Sequence, residues 1–442
     1  MFSELMIKSK KVAFSDGVRP ASVFVEQGKI VTILPYDSEP RSQNTVDLGN
    51  TALLPGLVDT HVHVHEPDVV HPEGFETATR AAAAGGITTI LDMPNTNSPM
   101  TATVEALRAK EDIARKKVFV DVGFWGAMTA SNQADRAELL REGVFGFKCY
   151  MPDPGPSAPP QPDGLNAALS ELKALNGLTI FHAEDPLILA QAPEPKDSSY
   201  AEFLRSKPSL AEVVAVTRII EFSRATGARV HIVHLCAAEA LPLIAQAKVD
   251  GVKITAETCP HYLFFSDVDI PEGATVLKCA PPIRNSANRE ALWGGLEDGT
   301  IDCVVSDHAP WTAEHKSLKG GDFRTAGEGI SSLQLIVPAM WTKAQERGHG
   351  LDSLARWMGT NTANLAGLKQ KGRIEVGADA DLVAFDAEAT FVVDPELLEH
   401  RVPRTAYAGR ELRGVVLRTW LRGTEVGTTP RGELLNSKVN GI

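Results

Sequence analysis

Apolar and polar positions change rhythm along this chain. Between residues 6 and 50 they come in short alternating pieces: Lys11-Val12-Ala13-Phe14, Ala21-Ser22-Val23-Phe24-Val25 and Lys29-Ile30-Val31-Thr32-Ile33-Leu34. A period near two over so few positions predicts half-buried strands. Residues 373–426 return to that style in 380–385, 390–393 and 414–420. Two β-rich ends around a long middle predict a small β-sandwich domain made by both termini, residues 1–51 with 373–442.

The middle, 52–372, alternates apolar runs with amphipathic stretches. The runs 53–61, 87–92, 118–124, 143–149, 178–183, 229–235, 252–259 and 302–307 predict strands. The stretches 73–84, 104–117, 212–226 and 237–247 predict helices between them. Eight such units fit an α/β fold of the (β/α)8 TIM-like barrel type, and a doubly wound sheet is the alternative. Residues 151–164 hold six prolines and no period, and predict an irregular loop after the fourth strand. Residues 427–442 are polar and predict a loosely held end.

Composition narrows the function classes. The chain has 442 residues, 43% hydrophobic and 23% charged, and a formal net charge of -12. That charge disfavours nucleic acid or an anionic membrane as partner. No apolar run reaches the roughly 18 residues of a membrane span. The first residues lack the apolar core of a secretory signal, which predicts a cytoplasmic protein. Five cysteines, Cys149, Cys236, Cys259, Cys279 and Cys303, form no C-x-x-C pair and are odd in number. They predict buried reduced thiols.

The candidate chemistry lies at the ends of the predicted strands, where barrel active sites are built. Strand one ends in His61-Val62-His63, a spacing that puts two imidazoles on one strand face. Strand four carries Lys148 in an apolar run. Strand five ends in His182, strand six in His234 and strand eight in Asp307. Four histidines, an aspartate and a lysine on one rim suit two divalent ions better than one. An ammonium beside two cations would lose its proton. A neutral lysine can add carbon dioxide and become an anionic carbamate able to bridge both metals. By position alone, a lysine snorkelling from a strand end is the commoner reading. His231 competes with His234 as ligand, but a period of two places it with Val233 on the opposite face, in a structural role. His65, His71, His308 and His315 are rim candidates. His261 reads equally as a packed side chain or a substrate contact, and His349 and His400 as surface residues.

These residues carry a resemblance. The order H-x-H, lysine, histidine, histidine, aspartate on a barrel resembles the cyclic-amide hydrolase branch of the amidohydrolase superfamily, which contains dihydroorotases, hydantoinases (dihydropyrimidinases) and allantoinases. The similarity runs from Val25-Glu26-Gln27-Gly28-Lys29-Ile30 to Leu421-Arg422-Gly423. Segments such as Gly146-Phe147-Lys148-Cys149, Glu257-Thr258-Cys259-Pro260-His261-Tyr262, Lys278-Cys279-Ala280-Pro281-Pro282-Ile283-Arg284 and Ser306-Asp307-His308-Ala309-Pro310 resemble the allantoinases most. Dihydroorotases resemble H-x-H-x-R, and here the third position is His65. Hydantoinases place a tyrosine after the lysine where Pro152, Asp153 and Pro154 stand, and Tyr150 is too close to match. The segment Gly327-Glu328-Gly329-Ile330-Ser331-Ser332-Leu333-Gln334 resembles the allantoinase loop after strand eight, with Glu328 in place of a small residue. The stretch Glu66-Pro67-Asp68-Val69-Val70-His71-Pro72 lacks the Pro-Gly-Arg and tryptophan common there.

The resemblance implies hydrolysis of a cyclic amide, with allantoin to allantoate the expected reaction and a hydantoinase-type or dihydropyrimidinase-type ring the alternative. A scaffold homologue without catalysis is a third reading, opposed by the presence of all six candidate ligands. His61 and His63 would hold one metal with Asp307, His182 and His234 the other, and Lys148, as N6-carboxylysine, would bridge them. A metal-bridged hydroxide would attack the ring carbonyl, with Asp307 as general base and then acid. Zinc is the expected metal, with cobalt, manganese, nickel or iron as alternatives. Backbone groups near Cys259, Cys279 and Ala326, together with His308, would bind the substrate. The family commonly forms homotetramers.

Overall fold

A computed structural model describes residues 2–38, 41–68, 73–95, 98–152, 155 and 158–438. Parallel strands of the middle segment form two ladders. One runs Leu57–Val62, Ile87–Asp92, Asp121–Phe124. The other runs Gly126–Met128, Phe147–Tyr150, Leu178–His182, Arg229–Ile232, Ile254–Thr258, Cys303–Val304. A bridge between Val62 and His308 joins the first strand to the segment after the last, and the His63 amide donates to the His308 carbonyl at 2.8 Å. Helices such as Phe75–Ala84, Val104–Ala114, Pro162–Ala174 and Ser209–Thr226 lie between the strands. The result is an α/β barrel whose strands are apolar because both faces are covered.

The chain ends build an eight-stranded sheet. Its order is Thr424–Glu425, Glu411–Leu421, Leu382–Val392, Ala52–Pro55, Phe2–Phe14, Gly17–Glu26, Lys29–Leu34, with Arg41–Asp47 parallel to Phe2–Phe14. The expected strand over 53–61 is therefore two strands. The chain passes from terminal sheet to barrel at Gly56, where a Cβ would sit 2.3 Å from Thr88 Oγ1 and 2.7 Å from Asp381 Cβ. Only glycine fits that crossing.

Other expectations need correction. The fourth barrel strand starts at Phe147, not 143, because Gly143 (φ 109) ends the helix Arg136–Glu142 in the left-handed region. The last strand stops at Val304, because the Ser306 amide turns to the Asp59 carboxylate (3.1 Å). The proline-rich loop ends earlier than expected, since Pro162 opens a helix. The tail is not loose over 432–437. Gly432 N donates to Val118 O (2.9 Å), Leu435 N to Val122 O (2.8 Å) and Asn436 Nδ2 to Glu142 O (2.8 Å). Residues 439–442 lie outside the described residues. No helix among the described residues is long and apolar enough to cross a membrane.

Candidate active site

A cavity of about 480 Å³ opens at the C-terminal ends of the barrel strands. His63, Lys148, His182, His234 and Asp307 line it, together with His65, Tyr150, Lys278, Trp311 and the segment Ala326–Gly329. His61 lies at its floor, fully buried, with Nε2 3.1 Å from Asp307 Oδ1. His63 Nε2 is 3.6 Å from the same oxygen. The imidazole centroids of His61 and His234 are 5.3 Å apart, and those of His182 and His234 4.5 Å. The fold thus brings all six sequence-predicted residues to one place.

Two of them depend on unusual backbone. The sixth strand ends at Ile232, and His234 (φ 39) is turned by a left-handed residue rather than by strand alternation. Asp307 (φ 46) is turned in the same way. Non-glycine residues in this region carry strain and gather at functional sites. Asp59 supports the second turn. Its buried carboxylate accepts from the His61 amide (3.0 Å) and the Ser306 amide (3.1 Å), and burial pushes its pKa up to about 7.

The electrostatics favour neutral imidazoles at His63, His182 and His234. Burial, and then the neighbouring imidazoles, hold His63 and His234 well below the usual histidine range. Burial also lowers Lys148, to about 8. On His61, burial opposes the charged form, but Asp307 and Glu257 outweigh it and leave its pKa raised. Several buried nitrogens have no hydrogen-bond partner among the described residues: His61 Nε2, His63 Nδ1 and His234 Nδ1. His61 Nε2 is close to Asp307 but not in hydrogen-bond geometry. Orphaned buried polar atoms are costly and ask for a missing partner. Donor atoms of His61, His234 and Asp307 all lie within 4.8 Å of one another. Neutral imidazoles, a carboxylate and unpartnered nitrogens on one cavity fit divalent metal.

Two carboxylates behind the imidazoles escaped the sequence reading. Glu257 Oε1 lies 2.5 Å from His61 Nδ1, and its Oε2 lies 3.0 Å from His231 Nε2. Burial works against this carboxylate, yet His61 and His231 hold its pKa far down. Glu184 Oε2 lies 2.7 Å from His182 Nε2, leaving Nδ1 as that ring's other ligand atom. Carboxylates in this position orient metal-binding imidazoles and raise their basicity. The signal for Glu257 was its period of two with Thr255, whose hydroxyl lies 2.7 Å from His231 Nδ1. His231 is accordingly held on both nitrogens.

The remaining candidates separate. His308 is fully buried and absent from the cavity wall. Its Nδ1 accepts from the amides of Ser332 (3.1 Å) and Leu333 (3.3 Å), so that nitrogen holds the following loop. Cys259 and Cys279 are buried thiols with pKa values raised by burial, and their side chains do not line the cavity, whereas Ala326 does. His261 is fully buried beside Cys259 and Asp307. His315 caps its own turn through Thr312 (2.7 Å). His400, expected at the surface, is 4% exposed, with its ring centroid 4.9 Å from that of His308. His349 is half-buried, stacked on Trp293 and 3.0 Å from Glu297. His71 lies outside the described residues. Tyr150, set aside on spacing, packs its ring against His182, with centroids 4.2 Å apart and planes tilted by 37°, and lines the cavity.

Comparison with known proteins agrees with this geometry. A family profile described as "Amidohydrolase family" matches residues 52–426. An allantoinase of Streptomyces avermitilis is 50% identical over 98% of both chains. An allantoinase of Saccharomyces cerevisiae is 42% identical over 96% of both. The solved L-hydantoinase (dihydropyrimidinase) of Arthrobacter aurescens superposes with a TM-score of 0.92 at 28% identity, covering 98% of this chain and 100% of its own.

Proposed function

The chain belongs to the amidohydrolase family, and on that premise we propose that it hydrolyses the hydantoin ring of allantoin to allantoate, a step of purine (ureide) breakdown. The observation that carries this reading is the cavity itself, where His63, Lys148, His182, His234 and Asp307 converge above buried His61. Identity of 50% to an allantoinase, against 28% to a hydantoinase, favours allantoin over other hydantoin-like rings. On this reading 52–372 is the catalytic domain, and 1–51 with 373–442 is its support.

His61, His63 and Asp307 would hold one divalent ion and His182 with His234 a second, with Lys148 as a carbamate between them. Bound there, two such ions would supply Lewis acidity for a water and for the ring carbonyl. Asp307 takes the proton of the attacking water and passes it to the ring nitrogen as the carbon–nitrogen bond breaks. The carbonyl carbon gains the water oxygen and becomes a carboxylate, its acid proton passing to solvent, while the released nitrogen becomes the end of a urea in the same molecule. Glu257 and Glu184 keep the His61 and His182 rings in place throughout. Burial lowers Lys148 to about 8, which raises the share of uncharged amine near neutral pH, the form that adds carbon dioxide. The histidine and carboxylate donor set suits zinc first, then cobalt, manganese, nickel or iron. Five buried free cysteines accord with a reducing cytoplasm, and a homotetramer is the assembly the family suggests.

The direct test is allantoate production from racemic allantoin by metal-replete protein, with hydantoin, dihydrouracil and dihydroorotate assayed beside it. Turnover of allantoin far above the others is expected. Cleavage of hydantoin or dihydrouracil without allantoin would overturn the substrate while keeping the chemistry. Protein that binds no metal and turns over none of these rings would revive a scaffold role. The Lys148→Ala variant is expected to lose metal and at least about 10³-fold in activity, since metal and proton transfer fail together. A variant that kept two metals and full activity would remove the carbamate from the mechanism.

A further inference from the structure

The cavity wall away from the ligand cluster carries one feature that ring opening does not use. Glu328 projects into the cavity from the loop 326–329, its side chain 33% exposed. Glycines flank it on both sides, and neither could carry a side chain. A Cβ on Gly327 would lie 2.5 Å from the Trp311 ring, and one on Gly329 (φ 148) 2.5 Å from the Ala309 carbonyl.

The loop is firmly held. Trp311 Nε1 donates to the Glu328 carbonyl (2.9 Å), Lys316 Nζ to the Gly327 carbonyl (2.8 Å) and Gly329 N to the Lys278 carbonyl (2.9 Å). The carboxylate itself is not consumed by these contacts. Two ammonium groups lie near it, Lys278 Nζ at 3.8 Å and Lys207 Nζ at 3.9 Å, both beyond hydrogen-bond length. Lys278 Nζ instead donates to the Ala326 carbonyl at 2.7 Å. The two lysines thus offset the charge of Glu328 without occupying its oxygens. A partly desolvated carboxylate on a rigid loop, with acceptor sites open to a cavity, is prepared for a neutral donor pair.

Resting on the proposed reaction, we propose that Glu328 selects the substrate by gripping the ureido arm that allantoin carries on its hydantoin ring. The arm ends in a urea, whose parallel N–H groups match two carboxylate oxygens as a guanidinium fork does. Hydantoin and dihydrouracil lack this arm and leave Glu328 unused. Dihydroorotate would bring a second carboxylate to the same wall.

The test compares wild type, Glu328→Gln and Glu328→Ala on allantoin and on hydantoin. Glutamine keeps the size but replaces one acceptor by a donor. Loss of a hydrogen-bonded pair to a charged group is expected to lower kcat/KM for allantoin about 10- to 100-fold. Turnover of hydantoin, however slow, is expected to stay within about twofold, because binding of the ring does not engage this side chain. Hydantoin turnover also reports whether each variant is folded and metal-loaded. An equal loss on both substrates would assign Glu328 a structural role and overturn the inference, as would no loss on either. Wild-type protein that cleaves hydantoin but not allantoin would overturn the reaction assignment, and this inference with it.

Discussion

Asp307→Asn is expected to lower kcat for allantoin by about 10³-fold while the protein remains folded. The substitution keeps size and shape. Asparagine tolerates the left-handed backbone at this position (φ 46) better than most residues, so the turn that aims the side chain survives. What changes is chemistry. An amide cannot hold and return a proton, and it is a weaker metal donor than the carboxylate whose Oδ1 lies 3.1 Å from His61 Nε2 and 3.6 Å from His63 Nε2. Steady-state rates should be measured beside metal content and far-UV circular dichroism. A folded variant with reduced metal and kcat down about 10³-fold is the expected result. Full metal occupancy with kcat within about tenfold of wild type would take the proton shuttle away from Asp307.

The residues that line the cavity were legible because strand alternation and strand termini are local properties. His61-Val62-His63, Lys148 and His182 each sit at the end of an apolar run, and the barrel's geometry turns such ends toward one another. His234 and Asp307 were found at the right ends for an incomplete reason. Both are aimed by left-handed residues beyond the last ladder position, which a period of two does not describe. The partners behind the ligands were not legible. Glu257 joins His61 and His231 from three strands, so its role exists only once the barrel closes and brings Leu57–Val62 within reach of the neighbouring strands Arg229–Ile232 and Ile254–Thr258. The tail was misread for a similar reason. The 427–442 stretch is mostly polar, but Leu434 and Leu435 within it pack on the core, and backbone groups of 432–437 pair with Val118, Val122 and Gly143 some 300 residues away in sequence. His400 is buried because it packs on His308 and the loop 332–334, another contact with no local signature.

The largest stability effect is expected far from the cavity, at Lys371. Its ammonium is 4% exposed and lies 2.6 Å from Asp121 Oδ2, 2.9 Å from Asp379 Oδ2 and 2.8 Å from Asp381 Oδ2. Asp121 belongs to the barrel, Asp379 and Asp381 lead into the terminal sheet, and Arg422, also on Asp121, follows that sheet's strand Glu411–Leu421. One cation therefore ties barrel to sheet. Lys371→Met preserves length and removes the charge, leaving three buried carboxylates with less compensation. Breaking a buried pair in this way costs about 3–5 kcal/mol. At the usual unfolding entropy per residue, that corresponds to roughly 3–5 °C in Tm for a unit of this length. Activity at 25 °C should change little, because none of these groups lines the cavity.

The pH dependence gives the prediction its sign. Burial works against the Asp379 carboxylate, but Lys371 outweighs it and lowers its pKa. That contribution is present above the unfolded value of 3.8 and is lost as pH falls through the lower folded value. Burial raises Asp381 even with Lys371 in place, so removing the ammonium raises it further. Protonation at low pH therefore relieves the variant more than the wild type. The Tm difference is expected to be largest near pH 7 and to shrink toward pH 4, read by calorimetry on both proteins. Equal melting at pH 7, or a gap unchanged at pH 4, would mean that packing rather than charge holds the barrel to the sheet at this point.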